Sequence, residues 1–225
     1  MKSKVINILL ATVLCAGLMT GFTAPVNAME PVARELLSSA AIINENVSEN
    51  SVPSNWAQEE VDAAIEAGFV PQHLQSNYTQ PISRAEFCAL AISLYENGTG
   101  KKIINRVKFD DTEDVNVEKA AAIGVVNGVG DNKFDPTAKL TREQAATMLS
   151  RLAESLGNPL PKEAAVFNDN NSVSTWAIEA VGEMQFTGIM GGVGNNTFAP
   201  KDPYTREQSI MTIMRLYLYI IEQML

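Results

Sequence analysis

A chain of 225 residues with 17 basic and 26 acidic side chains carries a net charge of −9, which argues against a nucleic-acid partner because the phosphate backbone attracts basic surfaces. With 46% apolar residues there is enough material for one compact domain or a few small stacked units. Two cysteines and one histidine leave little room for a disulfide framework, a multi-histidine zinc site or a Ser-His-Asp triad.

The first 28 residues read as a secretory signal peptide. Lys2 and Lys4 precede the apolar run Val5 to Gly17, and the small-residue end Val26-Asn27-Ala28 follows. The run is too short and wrongly flanked for a membrane span, and Leu14 before Cys15 is a poor lipoprotein cleavage context, so the mature chain is expected to be secreted to the cell surface. Removing the two leader lysines takes the net charge from −9 to −11. Cys88 is then the remaining thiol, read as a small buried hydrophobe on a helix. Residues 29–53 form an N-terminal segment with a short helix expected at 31–43 and then a polar linker. It is a place where an unknown protein partner could dock.

Beyond that linker the chain repeats itself. Aligning back from the two Thr-Arg-Glu-Gln tetrapeptides at 141–144 and 205–208 places "GVVNGVGDNKFDPTAKLTREQ" over "GIMGGVGNNTFAPKDPYTREQ", with 11 identities in 21 positions. A looser copy, "ISRAEFCALA", has its arginine at Arg84. Glycine to arginine is 16, 18 and 18 residues in the three copies, and Trp-Ala lies 12 residues before Gly68 and before Gly188. The spacing defines three units, 54–108, 109–166 and 167–225.

Each unit reads as helix, loop, helix. In the first, Trp56, Val61, Ala64 and Ile65 lie near one helical face that ends at Gly68, a C-terminal cap. Phe87, Leu90, Ala91, Leu94 and Tyr95 recur at helical spacing, and Ala145, Met148, Leu149, Leu152 and Ala153 repeat that frame. The third copy, "SIMTIMRLYLYIIEQML", is apolar nearly all round and is expected to be the most buried. A helix pair cannot bury its apolar faces alone, so the three second helices are expected to form a central bundle with the first helices and loops outside.

The tetrapeptide divides by chemistry. Ser or Thr followed three residues later by Glu or Gln, ahead of an apolar run, is a capping box, and Ser83/Glu86, Thr141/Gln144 and Thr205/Gln208 all fit it. The arginine is different, because a cation in the first turn faces the positive end of the helix dipole at a cost of roughly 0.3–1 kcal/mol. Arg84, Arg142 and Arg206 repeat that choice three times. Each could receive a carboxylate or phosphate, or bridge to an acid of a neighbouring unit. Gly128-Val129-Gly130 and Gly192-Val193-Gly194 permit either close ligand approach or a tight turn, and no Gly-Lys-Ser/Thr follows to make a phosphate loop. Trp56 and Trp176 offer flat faces for sugar rings or, as early helix residues, belong to the core.

Together, Phe-x-Asp (Phe109 to Asp111, Phe167 to Asp169), Trp-Ala, the Gly-x-Gly loop, Phe-x-Pro (Phe134 to Pro136, Phe198 to Pro200) and Thr-Arg-Glu resemble the S-layer homology domain in three tandem copies. The resemblance implies an all-α, three-armed, pseudo-threefold fold around a three-helix bundle. Its inter-repeat grooves would hold a bacterial secondary cell-wall polysaccharide, commonly ending in a pyruvate ketal. It implies that Arg84, Arg142 and Arg206 bind the ketal carboxylate, that Asp111 and Asp169 lie near the sugar with Trp56 and Trp176 as its aromatics, and that Gly130 and Gly194 lie in the loop. The first unit lacks Phe-x-Asp and Gly-x-Gly and the second lacks the tryptophan, so the grooves are expected to be unequal, with those using Arg142 and Arg206 favoured.

The function expected is therefore noncovalent wall anchoring without catalysis, cofactor or metal. A wall-glycan hydrolase would need paired carboxylates in a cleft. A calcium-dependent docking repeat, suggested by "DDTED" and "GDNKFDP", would need oxygen ligands at positions 1, 3 and 5 with glycine at 6, and neither stretch fits. An exported protein-interaction subunit is the remaining alternative.

Overall fold

In the computed structural model, residues 52–225 are described; the expected signal peptide and nearly all of the 29–53 segment lie outside them. The described chain is all-α. Its helices are α1 (Gln58–Glu66), α2 (Arg84–Thr99), α3 (Val115–Ala122), α4 (Arg142–Ser155), α5 (Ile178–Thr187) and α6 (Arg206–Gln223). Short 3₁₀ turns at Gln72–Leu74 and Asn170–Ser172 complete the regular structure. None of these helices is long and apolar enough to cross a membrane.

The longer helix of each pair starts where its cap dictates. Ser83, Thr141 and Thr205 are extended, their hydroxyls accept from the amides of Glu86, Gln144 and Gln208, and those side chains reach back to the cap amides at 2.7, 2.9 and 3.1 Å. All three capping boxes are thus complete, which satisfies two otherwise orphaned donors at each start.

Helical spacing then decides what is buried. Phe87, Leu90, Ala91 and Leu94 on α2 and all five expected positions on α4 are in the core, while Tyr95 is half-buried. α6 is the hub: it packs against α1, α2 and α4, and Ile210, Ile213 and Leu216 on it are fully buried. Cys88 is buried as well, and burial pushes its thiol far above the ordinary range, so the side chain packs as a small hydrophobe.

Helices pair across the units. α3 packs on α2 and α5 on α4, so each first helix lies on the second helix of the preceding unit, and α1 closes the series by packing on α6. Two polar clasps secure that closure. The Arg215 guanidinium meets both oxygens of Glu60 at 2.6 Å, and Ser54 donates through its amide and hydroxyl to the Glu207 carboxylate at 2.9 Å.

At the helix starts the backbone forms a closed triangle. Ile82 donates to the Tyr204 carbonyl at 2.9 Å, Tyr204 to Leu140 at 2.9 Å, and Leu140 to Ile82 at 3.1 Å. The first-turn amides of each long helix extend this pattern. Arg84 and Ala85 donate to Ala138 and Pro136, Arg142 and Glu143 to Asp202 and Pro200, and Arg206 and Glu207 to Gln80 and Tyr78. The first-turn amides of each long helix are therefore satisfied by the loop of the next segment.

The far end of α2 is tied down by charge. Glu96 is buried and receives Lys102 at 2.8 Å, the α3 residue Lys119 at 2.5 Å and the Ile103 amide at 3.2 Å. Burial opposes its charged form, but these hydrogen bonds outweigh it and hold the carboxyl at about 2. A carboxylate whose folded pKa is depressed stabilises the fold above its ordinary value near 4.5, and that stabilisation is lost as pH falls toward 2. The thermal midpoint is expected to drop across that window, and to drop less in Glu96→Gln, as followed by circular dichroism.

Candidate functional site

The loop between α3 and α4, and its counterpart between α5 and α6, are built as platforms. Gly130 (φ 110°) and Gly194 (φ 121°) sit in the left-handed half of backbone space and lead into the turn pairs Asp131-Asn132 and Asn195-Asn196, all at positive φ. A Cβ on Gly128 would meet the Lys133 carbonyl at 2.7 Å, and one on Gly192 the Thr197 carbonyl at 2.7 Å. The Gly-Val-Gly stretch is therefore demanded by a tight turn. Asp111 fixes the other side, its oxygens accepting from the amides of Phe134 and Asp135 at 2.8 Å. Asp169 does the same for Phe198 and Ala199 at 2.8 Å. These bonds include donors at Asp135 (φ 59°) and Ala199 (φ 56°), left-handed positions that need such support.

On each platform two phenylalanines stack and an arginine lies above them. Phe109 and Phe134 have centroids 5.4 Å apart, with the Arg84 guanidinium 4.3 Å from the Phe134 centroid. Phe167 and Phe198 are 5.3 Å apart, with Arg142 at 4.8 Å. The guanidinium edges donate to backbone carbonyls: Arg84 to Phe134 at 2.9 Å and Asn127 at 3.0 Å, Arg142 to Phe198 and Gly191 at 2.7 Å each. Each arginine is thus held over a ring by the loop of the following unit.

Burial lowers the pKa of both arginines. The Cys88 thiol and then Asp135 and Asp111 oppose the shift at Arg84, and Tyr204 with Asp202 and Asp169 oppose it at Arg142. Among the described residues no carboxylate forms an ion pair with either guanidinium. Arg142 is buried and Arg84 half-buried, and neither guanidinium has a carboxylate in ion-pair contact, a condition an incoming anion relieves.

Arg206 differs. It is buried, donates to the Ser76 carbonyl, and its Nη2 meets Glu86 Oε1 at 2.6 Å. Ser76 stands where the other units have Phe134 and Phe198, so Arg206 has no ring of that stack beneath it. The decisive position is the third residue of each helix. Glu86 caps its own helix with one oxygen and neutralises Arg206 with the other. Glutamine at 144 and 208 also caps, but leaves Arg84 and Arg142 unneutralised.

Two grooves result. One, of about 440 Å³, is lined by Arg142, Gly191, Gly192, Gln208, Arg215 and Trp56. The other, of about 220 Å³, is lined by Arg84, Asn127, Gly128, Gln144, Arg151 and Trp176. Each takes its arginine from one unit, its loop and helix from the next, and its tryptophan from a third. Trp56 is 60% and Trp176 56% exposed, so neither is a core residue. Their position has a cause that the repeat pattern conceals. Glu143 is 3% exposed and accepts from the amide and hydroxyl of Ser174 at 2.9 Å, as Glu207 does from Ser54, so each tetrapeptide glutamate anchors the residue two places before a tryptophan. The first unit has Ala85 there, and the segment it faces has no tryptophan.

Of the residues picked from sequence, the grooves bring together Arg84 with Trp176 and Arg142 with Trp56. Arg206 lines neither, Asp111 and Asp169 spend both oxygens on the loop backbone, and Gly130 and Gly194 shape the turns beside the grooves. Arg151, Arg215, Gln144 and Gln208 were not singled out as ligands, although their recurrence at matching places on α4 and α6 is a signal in the repeat.

Comparison with known proteins agrees with the platform residues. Residues 109–146 and 166–208 match the S-layer homology domain. Those two segments carry Phe-x-Asp, Gly-Val-Gly, Phe-x-Pro and Thr-Arg-Glu-Gln. An exoglucanase, XynX, of Acetivibrio thermocellus is 28% identical over 185 residues, which is 79% of this chain and 17% of that protein. A cell surface protein of Thermoanaerobacter kivui is 30% identical over 44% of this chain and 13% of its own length. A surface-layer 125 kDa protein of Lysinibacillus sphaericus is 28% identical over 72% of this chain and 14% of its own. The chain therefore spans less than a fifth of each of these relatives.

Proposed function

We propose that this chain is a noncatalytic module of three S-layer homology repeats, 54–108, 109–166 and 167–225, that anchors to the bacterial cell surface by binding an acidic secondary cell-wall polysaccharide. The observation that carries the proposal is the pair of arginines without an ion-pair partner, Arg84 and Arg142, each opening into a groove beside an exposed tryptophan. A guanidinium takes a carboxylate bidentately and an indole face takes the apolar side of a sugar ring, so an acidic glycan meets both halves. A pyruvate ketal supplies that carboxylate. A chain with net charge −9 holds an anionic polymer in this way because the local sign in each groove opposes the global one.

The three-armed, pseudo-threefold reading is supported by the closed triangle of hydrogen bonds at residues 82, 140 and 204 and by the cyclic pairing of helices. In this proposal the grooves at Arg84 and Arg142 are the binding ones, and Arg206, paired with Glu86, is a structural junction. That choice replaces Arg206, favoured from sequence, with Arg84. The exoglucanase and surface-layer relatives fit a module attached to different cargoes.

The test is a pull-down of the mature chain with purified cell-wall sacculi, before and after chemical removal of pyruvate. Retention is expected on native sacculi and loss on depyruvylated ones. Loss is also expected for Arg84→Ala combined with Arg142→Ala. Full retention by either the stripped wall or the double variant contradicts the carboxylate mechanism.

A further inference from the structure

The two grooves match in layout but not in charge. Arg215 on α6 and Arg151 on α4 occupy corresponding places, nine residues beyond Arg206 and Arg142, and each lines its groove. Arg215 is neutralised: Glu60, four residues after Trp56, holds it bidentately at 2.6 Å. Four residues after Trp176 the chain has Ala180, which offers no carboxylate, and among the described residues no ion pair reaches Arg151. The larger groove therefore presents one unneutralised cation, Arg142, and the smaller presents two, Arg84 and Arg151.

Resting on the groove assignment above, we infer that the Arg84 groove recognises a glycan unit bearing two anionic groups, the first held by Arg84 and the second by Arg151. The Arg142 groove recognises a singly charged one. Gln144 and Thr147, the other polar α4 residues lining this groove, are neutral, so its α4 lining carries no acid to repel a second anion. Arg84 is pinned by Phe134 and two carbonyls, whereas Arg151 makes no hydrogen bond to a described residue and is free to follow the ligand. The first arginine fixes register and the second discriminates by charge.

The experiment is isothermal titration of the purified acidic wall polysaccharide into the Arg142→Ala chain, which reports on the Arg84 groove alone, at two salt concentrations. Arg151→Gln in that background is expected to weaken binding about tenfold and to flatten its salt dependence, and Arg151→Lys to restore much of both. In the complementary Arg84→Ala background, Glu60→Gln releases Arg215 and is expected to steepen the salt dependence of the other groove. Arg151→Gln with unchanged affinity and unchanged salt dependence overturns the inference. Failure of the groove assignment itself looks different, because the polysaccharide would then bind the Arg84→Ala, Arg142→Ala chain as well as the parent.

Discussion

Replacing Trp56 and Trp176 together with alanine is expected to weaken binding to sacculi by at least thirtyfold while leaving the melting temperature unchanged. The two halves of that expectation have different physical sources. Both indoles are more than half exposed, and substitutions at such positions usually stay within about 0.5 kcal/mol of neutral. A tryptophan at the centre of a binding surface, by contrast, contributes about 2 kcal/mol or more, which is roughly thirtyfold in affinity. Binding by centrifugation with sacculi, paired with a thermal melt of the same sample, separates them. A fall in melting temperature of many degrees would show that the indoles support the fold and would remove the argument that they face a ligand.

Glu143→Ala and Glu207→Ala are expected to act the opposite way. Each carboxylate is buried at 3% exposure and accepts two hydrogen bonds from a serine of a distant segment, and Glu143 also pairs with Lys201. Truncation strands the serine amide and hydroxyl and, at Glu143, the Lys201 ammonium. Losing one partner of such a buried network costs about 3 kcal/mol, on the order of 5–10 °C for a domain of this size. Glu207 also fastens the start of α1 to α6, so its loss is expected to loosen the N-terminal edge first and to blunt binding at the groove that uses Trp56. Amide hydrogen exchange over 54–66 would register that loosening. Unchanged melting temperatures in both variants would refute the anchoring role.

Glu143 and Glu207 also mark where sequence reasoning stops. The caps were legible because a capping box is a contact within four residues, and the core faces of α2 and α4 were legible because helical spacing is a local regularity. The all-α class followed from those two together. The partners of the glutamates lie 31 and 153 residues away, and no local pattern names Ser174 or Ser54. The same limit applies at Glu86, where the sequence shows a good capping residue and the structure shows a second use, 120 residues distant, as the counter-ion of Arg206. The expectation that favoured Arg206 rested on the completeness of the third unit. The groove beside an arginine is instead completed by the unit that follows, and for Arg206 that is the first one, with Ser76 in place of a phenylalanine and an acid in place of glutamine. Phe-x-Asp and Gly-Val-Gly were recognisable as a set, and the structure gives them a further use that no spacing names, building the platform under a guanidinium. For Trp56 and Trp176 a helical-wheel reading counts an early apolar residue toward the core, whereas both sit ahead of their helices and are exposed.

The claim on which everything else depends is that an acidic sugar is held between an unneutralised arginine and an exposed tryptophan. A crystal structure of the mature chain with a purified terminal fragment of the wall polysaccharide tests it directly. The fragment is predicted to lie in the grooves of Arg84 with Trp176 and of Arg142 with Trp56, its carboxylate on the guanidinium and a ring face on the indole. Density at the Arg206–Glu86 junction, or on the outer faces of α1, α3 and α5 with both grooves empty, would contradict it.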